Sequence, residues 1–147
     1  VCVGDPRTRQ RIAERLDGYQ IASPVLVHPR AWVGSDVTLG PGTQIAAGAM
    51  ISTDVAIARH VIVNQGSTVA HGAVLEEFAT VAPGAHLSGD VHVARGADVG
   101  TAASIIQGIR VGSWSRIGAG AAIIRDVPEG STVVGVPGRQ IRSSTQN

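Results

Sequence analysis

The chain has 147 residues, enough for one domain with a real core and too short for two ordinary ones. Its 12 Lys and Arg against 11 Asp and Glu leave a formal charge of +1, so no electrostatic footprint for nucleic acid or anionic lipid is visible, and no apolar run approaches the roughly 18 to 20 residues of a membrane span. A single cysteine, Cys2, excludes an internal disulfide framework and a Cys-based zinc site; with no basic start running into a hydrophobic stretch, the expected compartment is the cytoplasm.

Val1 to Gly4 reads as a short strand. Asp5-Pro6 has the form of a helix N-cap followed by proline at the first helical position. The helix is expected to reach about Leu16, with Ile12, Ala13 and Leu16 as its apolar stripe and Asp17-Gly18 as its end. Residues 1–20 thus form a strand–helix piece that either packs on the rest of the chain or belongs to something larger.

The composition is 44% hydrophobic but only 3% aromatic, with 19 glycines, and such an aliphatic, glycine-punctuated chain calls for a repeat search. From Val27 to Ile123 every sixth residue is Val, Ile or Leu, seventeen positions without an exception. Four residues after each lies a small or β-branched residue, from Ala31 to Val127, so two columns point inward. Three residues after each aliphatic stands Gly in eight cases and Asp in four, types that tolerate positive φ and predict a tight turn. A period of six fits neither a helix nor simple strand alternation. It fits a parallel β-helix over residues 21–128, with three hexads per triangular coil, five to six coils, and coils about 4.8 Å apart. After Ile123 the phase breaks at Asp126-Val127-Pro128-Glu129-Gly130. Residues 129–147 are expected to form an extended exit strand and tail, with Ser143 to Asn147 frayed.

Eighteen residues per coil stack His71 under Gly89, Gly89 under Gln107, and Gln107 under Arg125 at one corner. Another column holds His60, Phe78 and Trp114, and aromatics exposed at a corner predict a subunit contact. His28, His60 and His92 read as structural or surface residues.

The unbroken hexads, the segment Asn64 to Gly89 (NQGSTVAHGAVLEEFATVAPGAHLSG) and the ending IGAGAAIIRDVP with VVGVPGR resemble the hexapeptide acyltransferases, more narrowly the sialic acid O-acetyltransferase and nucleotide-sugar N-acetyltransferase family. The resemblance covers roughly residues 20 to 142. It implies an all-β, left-handed parallel β-helix, a homotrimer with sites between subunits, acetyl-CoA as acyl donor without a metal, and a sugar or nucleotide-sugar acceptor. The family's N-terminal βαβ unit normally grips the nucleotide-sugar; only its last strand and helix are matched, without the glycine-rich phosphate loop.

Acyl transfer from a thioester needs a base for the attacking hydroxyl or amine and donors for the oxyanion. The resemblance assigns the base to His71 and the oxyanion donor to the Gly89 N–H. It gives Gln107, Arg125 and Arg139 to the CoA groove, alongside Gly89, and Asn64 and His86 to the acceptor. No covalent enzyme intermediate is expected, because no Ser sits in a nucleophile motif and Cys2 lies outside the repeat. The family commonly follows this His with Asp or Glu, where Gly72 stands here; Glu76, Glu77 or a residue of another subunit is the expected substitute. Two other readings compete. A γ-type carbonic anhydrase shares the fold but needs a close His pair plus a third His, and a non-catalytic β-helix scaffold or sugar-binding module needs no chemistry at this corner.

Overall fold

A computed structural model describes residues 3–142 of the chain. The expected N-terminal strand falls partly on Val1 and Cys2, outside the described residues, as does the expected frayed tail. The described part corrects the strand reading. Val3 and Gly4 are not in a strand, because Arg9 takes both of their carbonyls, at 2.8 and 2.9 Å.

Helix α1 spans Pro6–Asp17, and the Asp5 side chain caps it by accepting from the Thr8 N–H at 2.8 Å. Gly18 ends it in a right-handed conformation. Ala13 is buried and Ile12 and Leu16 are half-buried, as an apolar stripe requires, but the deepest large side chain is that of Arg9. Its guanidinium donates to six acceptors: the carbonyls of Val3, Gly4, His60, Phe78 and Ala79, and the Thr80 hydroxyl. Burial pulls its pKa down to about 10, still far above neutral, so the charge is retained and shared among these oxygens.

From Leu26 the chain winds into two-residue strands separated by turns, each strand placing one side chain outward and the next inward. Each strand up to Ser104–Ile105 pairs in parallel with the one eighteen residues later, as in Leu26↔Gln44, Thr68↔His86 and His92↔Arg110. Three sheets result. The first face includes Gln44–Ile45, Ile62–Val63 and Thr80–Val81; the second includes Met50–Ile51, Thr68–Val69 and His86–Leu87; the third includes Ala56–Ile57, Val74–Leu75 and His92–Val93. The inward aliphatics and the small residues four places on make one continuous core from Ile45 to Val133. Each buried Leu, Ile or Val in it contributes about 1.5–3 kcal/mol. At the first end of the stack Val27 stays 44% exposed, since no described coil precedes it to cover it.

The backbone is left-handed at every sixth residue from Asp36 to Gly120, whether or not that residue is glycine. His60, Phe78, Ala102 and Trp114 adopt it against a steric cost of about 1–2 kcal/mol each. At the corner between the third and first faces, packing offsets that cost. His60 and Phe78 stack with centroids 5.4 Å apart and planes 4° from parallel, Arg7 lies over the Trp114 ring at 4.5 Å, and the space a side chain on Gly42 or Gly96 would need is filled by His60 or Trp114. The expected exposed aromatic corner is therefore corrected: Phe78 and His60 are 0% and 2% exposed, because α1 of the same chain covers them.

The repeat also runs past the expected boundary at residue 128. Thr132–Val134 continues the first face by pairing in parallel with Arg116–Ile117, at a spacing of sixteen rather than eighteen residues. Arg139–Arg142 then folds back antiparallel on it. Between them the loop from Gly135 to Gly138 takes the place of the next second-face strand: the Ala122 N–H donates to the Gly135 carbonyl, and the Gly138 N–H donates to the Ala122 carbonyl. Among the described residues no helix is long and apolar enough to cross a membrane.

Candidate active site

His71 sits at the turn between Thr68–Val69 and Val74–Leu75, the corner joining the second and third faces. Backbone bonds fix the stack above it. The Asp90 N–H donates to the His71 carbonyl at 2.8 Å, and the Gly108 N–H donates to the Gly89 carbonyl at 3.0 Å. The imidazole leans onto Gly89: a side chain there would begin 2.5 Å from Cε1 and 2.6 Å from Nε2 of His71. Glycine is what lets the ring lie against the next coil. Among the described residues nothing bonds the His71 imidazole, and the Gly89 N–H donates to no acceptor. An unbonded imidazole and an unbonded backbone donor thus stand side by side, the kinds of group that thioester aminolysis or alcoholysis requires.

The residue after each of these does the reverse. The space that a side chain on Gly72 would fill is taken by Oδ1 of Asp90, while Asp90 Oδ2 accepts from the Gln107 amide at 3.0 Å. His71 leans over the glycine of the coil above, and the neighbour of that glycine leans back over the neighbour of His71. This exchange is not legible from the column alone, which gives position but not lean.

Glu76 and Glu77, the expected stand-ins for an acid after His71, are both engaged elsewhere. Glu76 Oε1 accepts from His92 Nε2 at 2.6 Å and Oε2 from the Arg95 N–H at 2.9 Å. Burial alone would raise the Glu76 carboxyl, but these hydrogen bonds outweigh it and hold it below the usual carboxylate range. Glu77 lies 4.0 Å from Arg59 and 3.7 Å from Arg95. Neither reaches His71 within the chain.

Arg125 is exposed three coils beyond His71, about 14 Å along the axis at a coil spacing of about 4.8 Å. There the Gly135 to Gly138 loop brings Arg139 to the same place, and the two line a cleft of about 310 Å³ walled by Ile124, Val127, Pro128 and Pro137. Gln107 lies between His71 and this cleft in the column.

Two predicted residues do not join them. Asn64 follows Ile62–Val63 at the corner between the first and second faces, where its amide donates to the Val81 carbonyl at 3.0 Å, and it lines a separate hollow with Leu26, Gln44 and Gln65. His86 stands outward on the second face, its Nδ1 3.0 Å from the Thr68 hydroxyl. The width of the second face separates Asn64 from His71 within one chain. Of the remaining histidines, His28 accepts from the Arg30 N–H at 3.1 Å, His60 is buried, and His92 is paired. Among the described residues no group of three or more His, Cys, Asp or Glu is placed to hold a metal ion.

No protein-family model matches the sequence, and no curated protein does. Solved structures do. The perosamine N-acetyltransferase from Caulobacter crescentus, solved with CoA and GDP-perosamine, superposes with a TM-score of 0.95 at 31% identity over 97% of this chain and 68% of that one. The acetyltransferase domain of PglB from Neisseria gonorrhoeae FA1090 gives 0.93 at 37% identity over 96% and 69%, and that domain is also solved with acetyl coenzyme A. WeeI from Acinetobacter baumannii AYE gives 0.92 at 26% identity over 95% and 68%. By its repeat, its coil stacking and these likenesses, the chain belongs to the hexapeptide-repeat acyltransferases, in the group that includes the nucleotide-sugar N-acetyltransferases.

Proposed function

We propose that this protein transfers an acyl group, acetyl in the first instance, from a CoA thioester to an amino or hydroxyl group of a sugar or nucleotide-sugar. The observation that carries the reading is the His71 imidazole lying against Gly89, whose N–H is free, at the head of a column that leads to the two arginines. His71 takes the acceptor's proton as its nitrogen or oxygen attacks the thioester carbonyl. The Gly89 N–H receives the oxyanion of the tetrahedral intermediate. Collapse breaks the carbon–sulfur bond, and the departing CoA thiolate takes back the proton from His71. The arm of CoA runs past Gln107, and its phosphates are met by Arg125 and Arg139, whose fork of donors suits them. CoA and GDP-perosamine bound to the Caulobacter protein, and acetyl-CoA bound to the Neisseria domain, support both substrate classes.

The acceptor half of the site draws on more than one chain. Asn64 and His71 occupy different corners of one coil, so they meet in one site only across subunits, as in the homotrimer that the family resemblance implies. His86 on the intervening face then lines the acceptor side.

The test is a thermal shift with acetyl-CoA followed by kinetics of His71→Ala. Ligand at about 100 times Kd stabilises the fold by about 2.7 kcal/mol. His71→Ala is expected to keep that shift while lowering kcat about 10²-fold or more. Unchanged turnover removes His71 as the base, and absence of any shift at millimolar acetyl-CoA removes the acyltransferase reading in favour of a scaffold.

A further inference from the structure

The crossing of His71 and Asp90 leaves one carboxylate oxygen unaccounted for. Asp90 is exposed, in a left-handed turn with φ of 59°, and its Oδ2 is held by Gln107. Its Oδ1 projects over Gly72, the residue next to His71, and among the described residues it has no donor. The His71 ring and this oxygen lie between the same two coils at adjacent positions, the ring against Gly89 and the oxygen against Gly72, so an acceptor that bonds the ring approaches the edge where the oxygen stands. The same column continues through Asp54, one coil below His71 and also an exposed carboxylate, whereas the arginines stand three coils above. Asp126 ends the same column beside Arg125, where its Oδ1 accepts from the Arg110 N–H, so of the column's carboxylates it is Asp90 that stands one coil above His71 with an oxygen unclaimed.

We infer that Asp90 is an acceptor-binding residue that selects an amine over a hydroxyl, by taking the protonated amine on Oδ1 across the gap that Gly72 leaves. The inference rests on the assignment of His71 as base and narrows the acceptor to a primary amine. An ammonium gives this oxygen a charge-assisted hydrogen bond, roughly twice as strong as the neutral one a hydroxyl offers. Gly72 is part of the device, because any side chain there would displace the carboxylate. The ammonium docks on Asp90 and loses one proton to water. The amine then attacks the thioester carbonyl, forming the carbon–nitrogen bond while its second proton passes to His71. The carbon–sulfur bond breaks, and the thiolate leaves with that proton as the CoA thiol.

The experiment compares Asp90→Asn, which removes the charge at nearly constant shape, with wild type and His71→Ala. The probes are UDP- and GDP-linked sugars carrying an amine or a hydroxyl at the same ring carbon. Wild type is expected to prefer the amine. Asp90→Asn is expected to lower kcat/KM for the amine about 10- to 100-fold, mostly through KM, and to change the hydroxyl substrate less than about threefold. Its melting temperature and its shift with acetyl-CoA should match wild type, and Asp90→Glu should recover part of the loss, which a purely structural role would not produce. Equal use of amine and hydroxyl by wild type, or an amine kcat/KM unmoved in Asp90→Asn while His71→Ala is inactive, overturns the role of Asp90 and leaves His71 standing. Full turnover by His71→Ala, or no turnover of any probe by wild type, overturns the reading beneath it.

Discussion

Gly89→Ala separates the chemistry of the corner from its architecture. The new methyl carbon would stand 2.5 Å from Cε1 and 2.6 Å from Nε2 of His71, and the three atoms nearest to it all belong to that ring. Ordinary carbon contact needs about 3.5 Å, so the imidazole must retreat by about 1 Å. It has room to do so, because His71 is exposed and bonded to nothing in the described chain. The backbone at Gly89 lies outside the left-handed region, so alanine fits it without strain, and a Gly→Ala change there adds about 0.4–1 kcal/mol by restricting the unfolded chain. A misplacement of about 1 Å in a reacting group costs on the order of 10²-fold in rate. Gly89→Ala should therefore lose about 10²-fold in kcat at saturating acetyl-CoA, with a melting temperature equal to or slightly above that of wild type. In the double variant with His71→Ala the second change should add nothing, since both act through one ring. A Gly89→Ala enzyme with wild-type kcat would refute the placement of the base over this glycine.

Two further outcomes concern the corner that α1 covers. Arg9→Met takes the donors from six oxygens while keeping most of the side-chain volume, and should cost about 3–5 kcal/mol in urea unfolding, more than any surface Arg in the chain. His60 is buried with its Nδ1 unpaired, and burial, reinforced by the charge of Arg59, lowers its pKa. The folded state thus keeps His60 neutral at pH values where the unfolded chain, near 6.5, takes a proton. Stability contributed by neutral His60 is present above about pH 6.5 and is lost as pH falls through that value toward its lower folded pKa. Thermal melts at about pH 7.5 and about pH 5.5 should show a smaller difference for His60→Asn than for wild type, since Asn tolerates the left-handed turn and does not titrate.

The coil stack is legible because it depends on one rule repeated: an aliphatic every sixth residue, which no local interaction disturbs from Ile45 to Ile123. The column of His71, Gly89, Gln107 and Arg125 comes from the same spacing. Beyond reach are contacts whose partners are set by side-chain lean or by the helix. Arg9 reads as one of several arginines on an exposed helix, yet three of its acceptors are carbonyls and one a hydroxyl 51 to 71 residues away, and backbone carbonyls carry no sequence signal. The same helix hides the ring stack of His60 and Phe78, which composition at a corner position reads as surface. The sixteen-residue last coil escapes because its inward residues Ser131 and Val133 are out of phase with the hexads by two.

The placement of chemistry at this corner follows from what the solenoid can and cannot vary. Its inward columns are closed to large polar side chains, and its outward strand positions are one residue per face, so variable groups collect in the turns. There the left-handed position is glycine on some coils and bears a side chain on others, while the residue before it bears a side chain from Ser35 to Ala119 except at Gly89. At the first face's two corners this produces the ring stack under α1 and a run of small residues, Gly48, Gly66, Gly84, Ala102 and Gly120. At the corner of the second and third faces His71 and Asp90 each face a glycine on the adjacent coil, as His60 and Trp114 do at the corner under α1, but here the imidazole and the carboxylate lie along the axis exposed to solvent. A carboxylate placed in sequence directly after His71 would start in the space that Oδ1 of Asp90 now fills, so the exposed Asp90 side chain would have to swing away.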